Sequence, residues 1–293
     1  MDKRRQGSSE LRVQKEKAHD DGTARVCQLS AGKLWCQRPC DVHPRFIERV
    51  LLSSKKVRKA IKRVLAKAIP AYLVEQVTAE LRISAKRMFT ARYVRKTLAP
   101  QRGCRVNVGC GKNPIAGWIN LDVISHPDVH FWDCRGGLPF AEGAVAAIYS
   151  EHFFEHLDFE SEAPLFLREC LRCLQPGGVL RIVVPDAGAY LQAFSGQWQL
   201  LADMRPLDRT PDGWRDRRLG WVYQTKMQFM NAIFRQRAEH KYAYDSETLV
   251  LVLHEAGFVN VVVQQFGVSI DPDMAPDTDD RRTESLYVEG VKG

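Results

Sequence analysis

Four residues stand at intervals that suit a bound nucleoside. Gly109 and Gly111 close the apolar run Val106-Asn107-Val108, Asp122 closes Trp118-Ile119-Asn120-Leu121, and Asp133 closes Val129-His130-Phe131-Trp132. A glycine at a strand end lets a ligand approach the backbone where a side chain would block it. An acidic residue at the tip of the neighbouring strand accepts two hydrogen bonds from a ribose diol.

A second cluster is Glu151-His152-Phe153-Phe154-Glu155-His156. On a helix, His152 and His156 would share one face and Glu151 and Glu155 another. A base within hydrogen-bond reach of a hydroxyl helps it lose its proton as it attacks. His152 and Glu151 are therefore the catalytic candidates, set against a plainer reading as first-turn residues satisfied by local hydrogen bonds. His152-x-x-Glu155-His156 also matches a zinc-protease spacing. Its position at a strand end, outside such a protease context, argues against that reading, and no metal is expected. Cys27, Cys36, Cys40 and His43 fit no recognised zinc knuckle. Cys170 and Cys173 fall on a helix and are expected to pack as small hydrophobes.

These groups need a scaffold, and the pattern supplies one. Buried strands are predicted over 105–109, 118–123, 129–133, 144–150 and 179–185, with last strands over 258–266 and 285–289. Helices are predicted over 163–174 and 246–256, the latter with Asp245 or Ser246 as N-cap and Gly257 just past its end. Alternating strands and helices imply an α/β fold: a Rossmann-like, mostly parallel seven-stranded sheet with helices on both faces and an antiparallel last strand. Only about eight residues separate the first two strands, fewer than the dozen or so a parallel crossover normally takes, so the first helix must shrink to a turn.

A nicotinamide cofactor is the obvious rival. Three features oppose it: no third glycine follows Gly111, Pro114 stands where the phosphate-binding helix would run, and Asp122 comes 11 positions after Gly111. A dinucleotide fold puts its acid roughly 20 residues on.

Five stretches carry a resemblance: NVGCGKNPIAGWINLDV, WDCRGGLPFAEGAVAAIYSEHFFEHL, FLRECLRCLQPGGVLRIVVPD, HKYAYDSETLVLVLHEAGFVNV and ESLYVEG. Over residues 104–290 they resemble class I S-adenosylmethionine (SAM) dependent methyltransferases, of the compact type 11-like kind associated with cell-surface polysaccharide biosynthesis. The resemblance implies SAM as cofactor and Asn107, Gly109, Cys110, Gly111, Asp122, Asp133, Cys134 and Ser150 as its binding residues. Gly109 and Gly111 would line its methionine and ribose, Asp122 the ribose hydroxyls, and Asp133 with the Cys134 N–H the adenine. Ser150 and Glu151 would sit beside the sulfonium. It implies methyl transfer to an oxygen or nitrogen of a small-molecule or glycan-related acceptor. The aromatic segment 197–242 would cover that acceptor, or bury a small core of its own; His240 and Tyr242 would border the site. Adenine and cytosine amino methyltransferases resemble one another in an Asp/Asn-Pro-Pro-Tyr/Phe set after the fourth strand; Ser150-Glu151-His152-Phe153 stands here. With no Pro-Cys pair in the domain either, nucleic acid becomes a less expected acceptor. An RNA methyltransferase and a non-catalytic SAM-binding protein are the alternatives.

The 293 residues carry a net charge of +8, and that total conceals an asymmetry. Residues 1–100 hold 24 Lys/Arg against 9 Asp/Glu; the rest holds 19 against 26. Residues 1–44 read as a disordered basic tail and 45–100 as a basic helical extension. Seven basic residues and no acid lie between Lys55 and Lys67. Residues 45–98 could thus meet an anionic membrane surface, or less expectedly nucleic acid. No apolar run approaches the roughly 18 residues of a membrane span, and no signal peptide is apparent. A cytoplasmic protein with free thiols, with peripheral attachment to the inner face of a membrane as a further option, is the expectation.

Overall fold

A computed structural model describes residues 28–30, 33–35, 59, 63 and 70–293, the first two stretches as backbone only. The chain divides into two units, Met1–His43 and Pro44–Gly293. In the first, β1 (Gln28–Ser30) pairs antiparallel with β2 (Lys33–Trp35). Apart from these six positions, residues 1–44, expected as a disordered basic tail, lie outside the described ones, Cys27, Cys36, Cys40 and His43 among them.

The second unit contains α1 (Ala71–Leu98), β3 (Cys104–Val108), β4 (Ile119–Asp122), β5 (His130–Phe131), β6 (Val145–Glu151), α2 (Glu162–Cys173) and β7 (Leu174–Pro185). Then come α3 (Ala187–Ser195), α4 (Trp198–Met204), β8 (Leu207–Thr210), β9 (Gly213–Asp216), β10 (Val222–Tyr223) and α5 (Lys226–Arg235). The chain ends with α6 (Ser246–Glu255), β11 (Val259–Gln264) and β12 (Ser285–Val291). Seven strands form one sheet in the order β11-β12-β7-β6-β3-β4-β5. β12 runs antiparallel to both neighbours and the other pairs are parallel. The α/β, Rossmann-like seven-stranded sheet with one antiparallel strand is thus the fold. The strand order reverses between β3 and β6, and ligands of open α/β sheets bind at that switch point.

Strand alternation sends Val106, Val108, Ile148, Leu180, Ile182, Val184, Leu286 and Val288 to one face, where α1, α2 and α6 cover them with Val94, Leu98, Phe166, Leu167, Leu249 and Leu253. Helices on both faces were expected, and here the structure differs. The opposite face, with Ala147, Tyr149, Val183 and Tyr287, is covered by Ile115, Trp118, Phe266 and Met274 from loops. The reason lies in the crossovers. β3 passes to β4 through a turn without a helix, as its shortness required, and no helix separates β4 from β5. The apolar cover comes instead from that turn and from the loop before β12.

Fixing the loop cover takes buried charge. Arg181 on β7 is fully buried; its Nε donates to Asp277 at 2.9 Å, its Nη1 to Glu289 at 2.9 Å and to the Val268 carbonyl at 2.8 Å, and its Nη2 also to Asp277.

The expected boundary at residue 104 is also corrected. Val74, Val94 and Leu98 of α1 are buried, Arg95 lies over Trp132, and Arg135 forms a two-pronged pair with Glu80 at 2.8 and 2.9 Å. The helical segment from residue 71 packs as part of the second unit. The helix expected N-terminal to Pro70 lies outside the described residues except Lys59 and Arg63.

The segment between α3 and α5 buries its own cluster, Tyr190, Leu201, Tyr223, Phe229, Met230 and Ile233, with Trp198 stacked on Trp214. It is tied to the sheet through Glu284, whose carboxylate accepts from Tyr190 Oη at 2.8 Å, from Arg205 Nη1 at 2.8 Å and from Arg218. Its aromatic residues therefore chiefly build this small core. Cys170 and Cys173 are buried in the main core as expected, and Cys104, Cys110 and Cys134 are likewise free thiols.

Candidate functional site

The β3–β4 turn sets the cradle. Gly109 and Cys110 both donate their backbone N–H to the Leu121 carbonyl, at 2.9 and 3.3 Å. Gly109 (φ +67°) and Gly111 (φ +53°) take the left-handed conformation that glycine tolerates. A Cβ on Gly109 would stand 2.5 Å from the Phe153 side chain, whereas one on Gly111 would meet nothing within 4 Å. The Phe153 ring thus rests on Gly109, and space remains open above Gly111.

Asp122 stands at the tip of β4. Its Oδ2 accepts the Gly111 N–H at 2.9 Å and its Oδ1 the Ile124 N–H at 3.0 Å. Each oxygen keeps a second lone pair for a ligand hydroxyl. One carboxylate thus braces the glycine turn and presents acceptors to the space beside it.

Other residues fill supporting roles. Asn107 is buried, and its amide donates to Asn120 Oδ1 at 3.1 Å and to the Asn113 carbonyl at 3.3 Å. Asn120 in turn accepts the Ile115 N–H at 2.8 Å. Asn107, expected among the cofactor-binding residues, uses its amide to shape the turn. Burial and the nearby Asp122 charge push the Cys110 thiol up to about 12, so it stays protonated. Burial, with the charges of Asp122 and Asp133, likewise raises the Cys134 thiol well above its ordinary value. Ser150 is fully buried at the β6 end, and its Oγ has no hydrogen-bond partner among the described residues.

Asp133 departs from the expected free acceptor. Arg135 donates to it through Nε at 2.9 Å and Nη2 at 3.0 Å. Burial works against its charged form, but the bonds and charge of Arg135 outweigh that and hold the carboxyl below its ordinary value. Adenine would have to share this carboxylate with Arg135, which α1 positions through Glu80.

The run after β6 is not helical, so the expected shared faces do not exist. His152 takes φ +52°, and only a single 3-10 turn, Phe154–His156, follows. Glu151 points away from Glu155: its carboxylate accepts the N–H and hydroxyl of Thr278, fastening the covering loop. Glu151, expected as a catalytic candidate, is thus engaged by Thr278. His152 instead faces Glu155, with Nδ1 3.3 Å from Oε1, and its Nε2 lies 2.9 Å from Ser285 Oγ.

Glu155 is the residue that sequence reasoning undervalued. It is 2% exposed, and neither carboxylate oxygen accepts a well-directed hydrogen bond. Burial alone would raise its pKa, but the close His152 nitrogen and the charges of His152, His156 and His240 bring it down to about 2. His240 arrives from the end of the α5 segment because the Lys241 and Tyr242 N–H groups donate to the Glu155 carbonyl, at 2.8 and 3.3 Å. His156 and His240 meet edge to face with centroids 4.7 Å apart. The spacing His-x-x-Glu-His was the available signal; His240 could be placed only by the fold.

Residues 126–182 match a family model described as a methyltransferase domain. The match runs from just before β5 to β7 and includes the whole run Ser150–His156. No curated protein matches the chain. Among solved structures, the chain is similar to a SAM-dependent methyltransferase, possible histamine N-methyltransferase, of Thermotoga maritima. They share 14% identity over 86% of this chain and all of that one, with a TM-score of 0.40. A SAM-dependent methyltransferase of Archaeoglobus fulgidus is 15% identical over 72% of this chain and 94% of its own, with a TM-score of 0.38. The 1,6-didemethyltoxoflavin-N1-methyltransferase of Burkholderia thailandensis is 13% identical over 69% and 77%, with a TM-score of 0.37.

Proposed function

We propose that the chain is a SAM-dependent methyltransferase whose acceptor, a hydroxylated small molecule of the sugar or glycan-related class, lies at the C-terminal end of β6. The observation that carries this reading is the cradle: two left-handed glycines at the end of β3, with Asp122 beside them at the switch point. The methyltransferase match across β6 supports it. Gly111 leads into a turn, and no helix begins there to meet a pyrophosphate. That geometry disfavours a dinucleotide and suits a nucleoside sulfonium. The open space at Gly111, the spare lone pairs of Asp122 and the buried Ser150 hydroxyl fit SAM. The sulfonium supplies an activated methyl group.

The protein's part is to orient. Gly109, Gly111 and Asp122 hold the nucleoside, and the run 152–156 faces the acceptor. In transfer to a hydroxyl, His152 would take the O–H proton as the oxygen gains its methyl; bound SAM would supply that methyl and leave as S-adenosylhomocysteine. Glu155 steadies the ring of His152 through Nδ1, so Nε2, beside Ser285, is the atom that takes the proton. His152→Ala should retain S-adenosylhomocysteine binding within about twofold and lose 10²–10⁴ in turnover, the usual yield of a positioned base. Unchanged turnover with a confirmed acceptor would remove His152 from this role. A screen of nucleotide sugars and glycans with labelled SAM identifies that acceptor, and absence of any methylated product would favour a non-catalytic SAM-binding protein.

The basic stretch between Lys55 and Lys67 suits an anionic membrane surface, where each Lys or Arg contributes about 1 kcal/mol. Among the described residues no helix is long and apolar enough to cross a membrane. The full chain is expected to pellet with phosphatidylserine-containing vesicles, and Lys55, Lys59, Lys62 and Arg63→Glu together to abolish pelleting. Retained pelleting by that variant would refute the assignment.

A further inference from the structure

We infer that Glu155, His156 and His240 form a binding site for one first-row divalent transition-metal ion, which holds a hydroxyl oxygen of the acceptor. One ligand atom from each of the three side chains lies within 4.8 Å of the other two. The reading deepens the proposed methyltransferase function, but ion binding itself does not depend on it.

Three observations converge. First, Glu155 is buried and neither oxygen accepts a well-directed hydrogen bond; its Oε1 is shared at a distance between His152 Nδ1 at 3.3 Å and His240 Nε2 at 3.9 Å. A buried carboxylate in that condition costs several kcal/mol unless a cation compensates it. Second, His240 Nδ1 lies 2.6 Å from the Ile233 carbonyl. A carbonyl only accepts, so Nδ1 carries the hydrogen, and in the neutral ring Nε2 is left with a lone pair. That Nε2 faces Glu155 Oε1 at 3.9 Å. Two acceptors turned toward one another repel unless a cation stands between them. A carbonyl behind a histidine is also the usual device that orients a metal ligand. Third, the cluster adjoins the cofactor cradle, since Phe153, two residues before Glu155, rests on Gly109.

The donor set selects the ion. Two imidazoles and one carboxylate suit Zn²⁺, Mn²⁺, Fe²⁺ or Co²⁺, whereas Mg²⁺ and Ca²⁺ favour all-oxygen ligands. Three protein ligands leave a coordination position open for an exogenous oxygen, as catalytic zinc sites do. A hydroxyl bound there would be both fixed in place and acidified.

Co²⁺ is the probe. The full chain, stripped with a chelator, is titrated with Co²⁺ and followed by visible absorption and by equilibrium dialysis. The expected result is one ion per chain at this site, with ligand-field bands but no thiolate charge-transfer band. The last feature separates it from any cysteine site. His240→Ala and His156→Gln should each weaken that binding at least 100-fold, and Zn²⁺ should raise the melting temperature of the wild type but of neither variant. Should a variant misfold, the wild-type spectrum still decides: absence of a thiolate-free Co²⁺ signal overturns the proposal. Unchanged Co²⁺ affinity in both folded variants overturns it equally. S-adenosylhomocysteine calorimetry on the stripped chain reads the methyltransferase assignment separately. Cofactor binding without Co²⁺ binding sinks only the metal site, and the reverse sinks only the methyltransferase reading.

Discussion

Asp122→Ala is expected to weaken S-adenosylhomocysteine binding by roughly 10²–10³-fold, with NADH bound by neither wild type nor variant. Two losses combine. The carboxylate would accept the ribose hydroxyls, and hydrogen bonds to a charged partner contribute about 1.5–3 kcal/mol each. It also holds the Gly111 and Ile124 N–H groups, so its removal frees the turn that forms the other wall of the cradle. Asp122→Asn disturbs both at constant side-chain size. An amide keeps one accepting oxygen, but its NH2 group then meets the other backbone donor, so the turn is strained although the side-chain volume is unchanged. Affinity should fall nearly as far as in the alanine variant. Calorimetry reads the affinity, and a thermal melt on the same samples shows whether the fold persists. Near-wild-type affinity in Asp122→Ala would show that neither the acid nor the turn it braces holds the cofactor and would overturn the assignment of the cradle.

That experiment addresses the part of the site most legible in sequence. Gly109, Gly111 and Asp122 could be found because backbone conformation leaves a residue-type signature: glycine where φ is positive, an acid where a strand ends. The strands were legible for a similar reason, since β3, β6 and β7 carry short apolar stretches at Val106 and Val108, Val145–Tyr149 and Ile182–Val184, and the Asp245 cap and Gly257 bracket α6 at the expected positions. Side-chain partnership leaves no such local mark. Asp133 looked free because Arg135 and Glu80, which hold it, are set by the packing of α1. Glu151 and His152 looked equivalent until β6 was seen to end between them, one turned to Thr278 and the other to Glu155. The one-sided helix cover was hidden for a related reason: the cover of the second face comes from a loop almost without apolar periodicity, fixed by ion pairs that join residues about a hundred positions apart.

Arg181→Ala should test that last point and is expected to destabilise the chain by about 3–5 kcal/mol, the usual cost of removing one partner from a buried ion pair. At roughly 2–4 °C per kcal/mol for a domain of this size, the melting temperature should drop by about 6–20 °C. The cost comes from what is left behind. Asp277 and Glu289 are each completely buried around the guanidinium, and its loss leaves both carboxylates in a low-dielectric site with only neutral donors, among them the Gly267 and Ile270 N–H groups. Asp277 lies next to Thr278, which holds Glu151 at the tip of β6, so the damage should pass to the site and lower cofactor affinity as well. The triple change Arg181→Met, Asp277→Asn, Glu289→Gln separates charge from packing, because it removes the charges together and keeps most of the volume. It should recover more than half of the lost stability. Equal melting temperatures for the single and triple variants would mean that side-chain volume, and not compensation of buried charge, fastens the loop to the sheet.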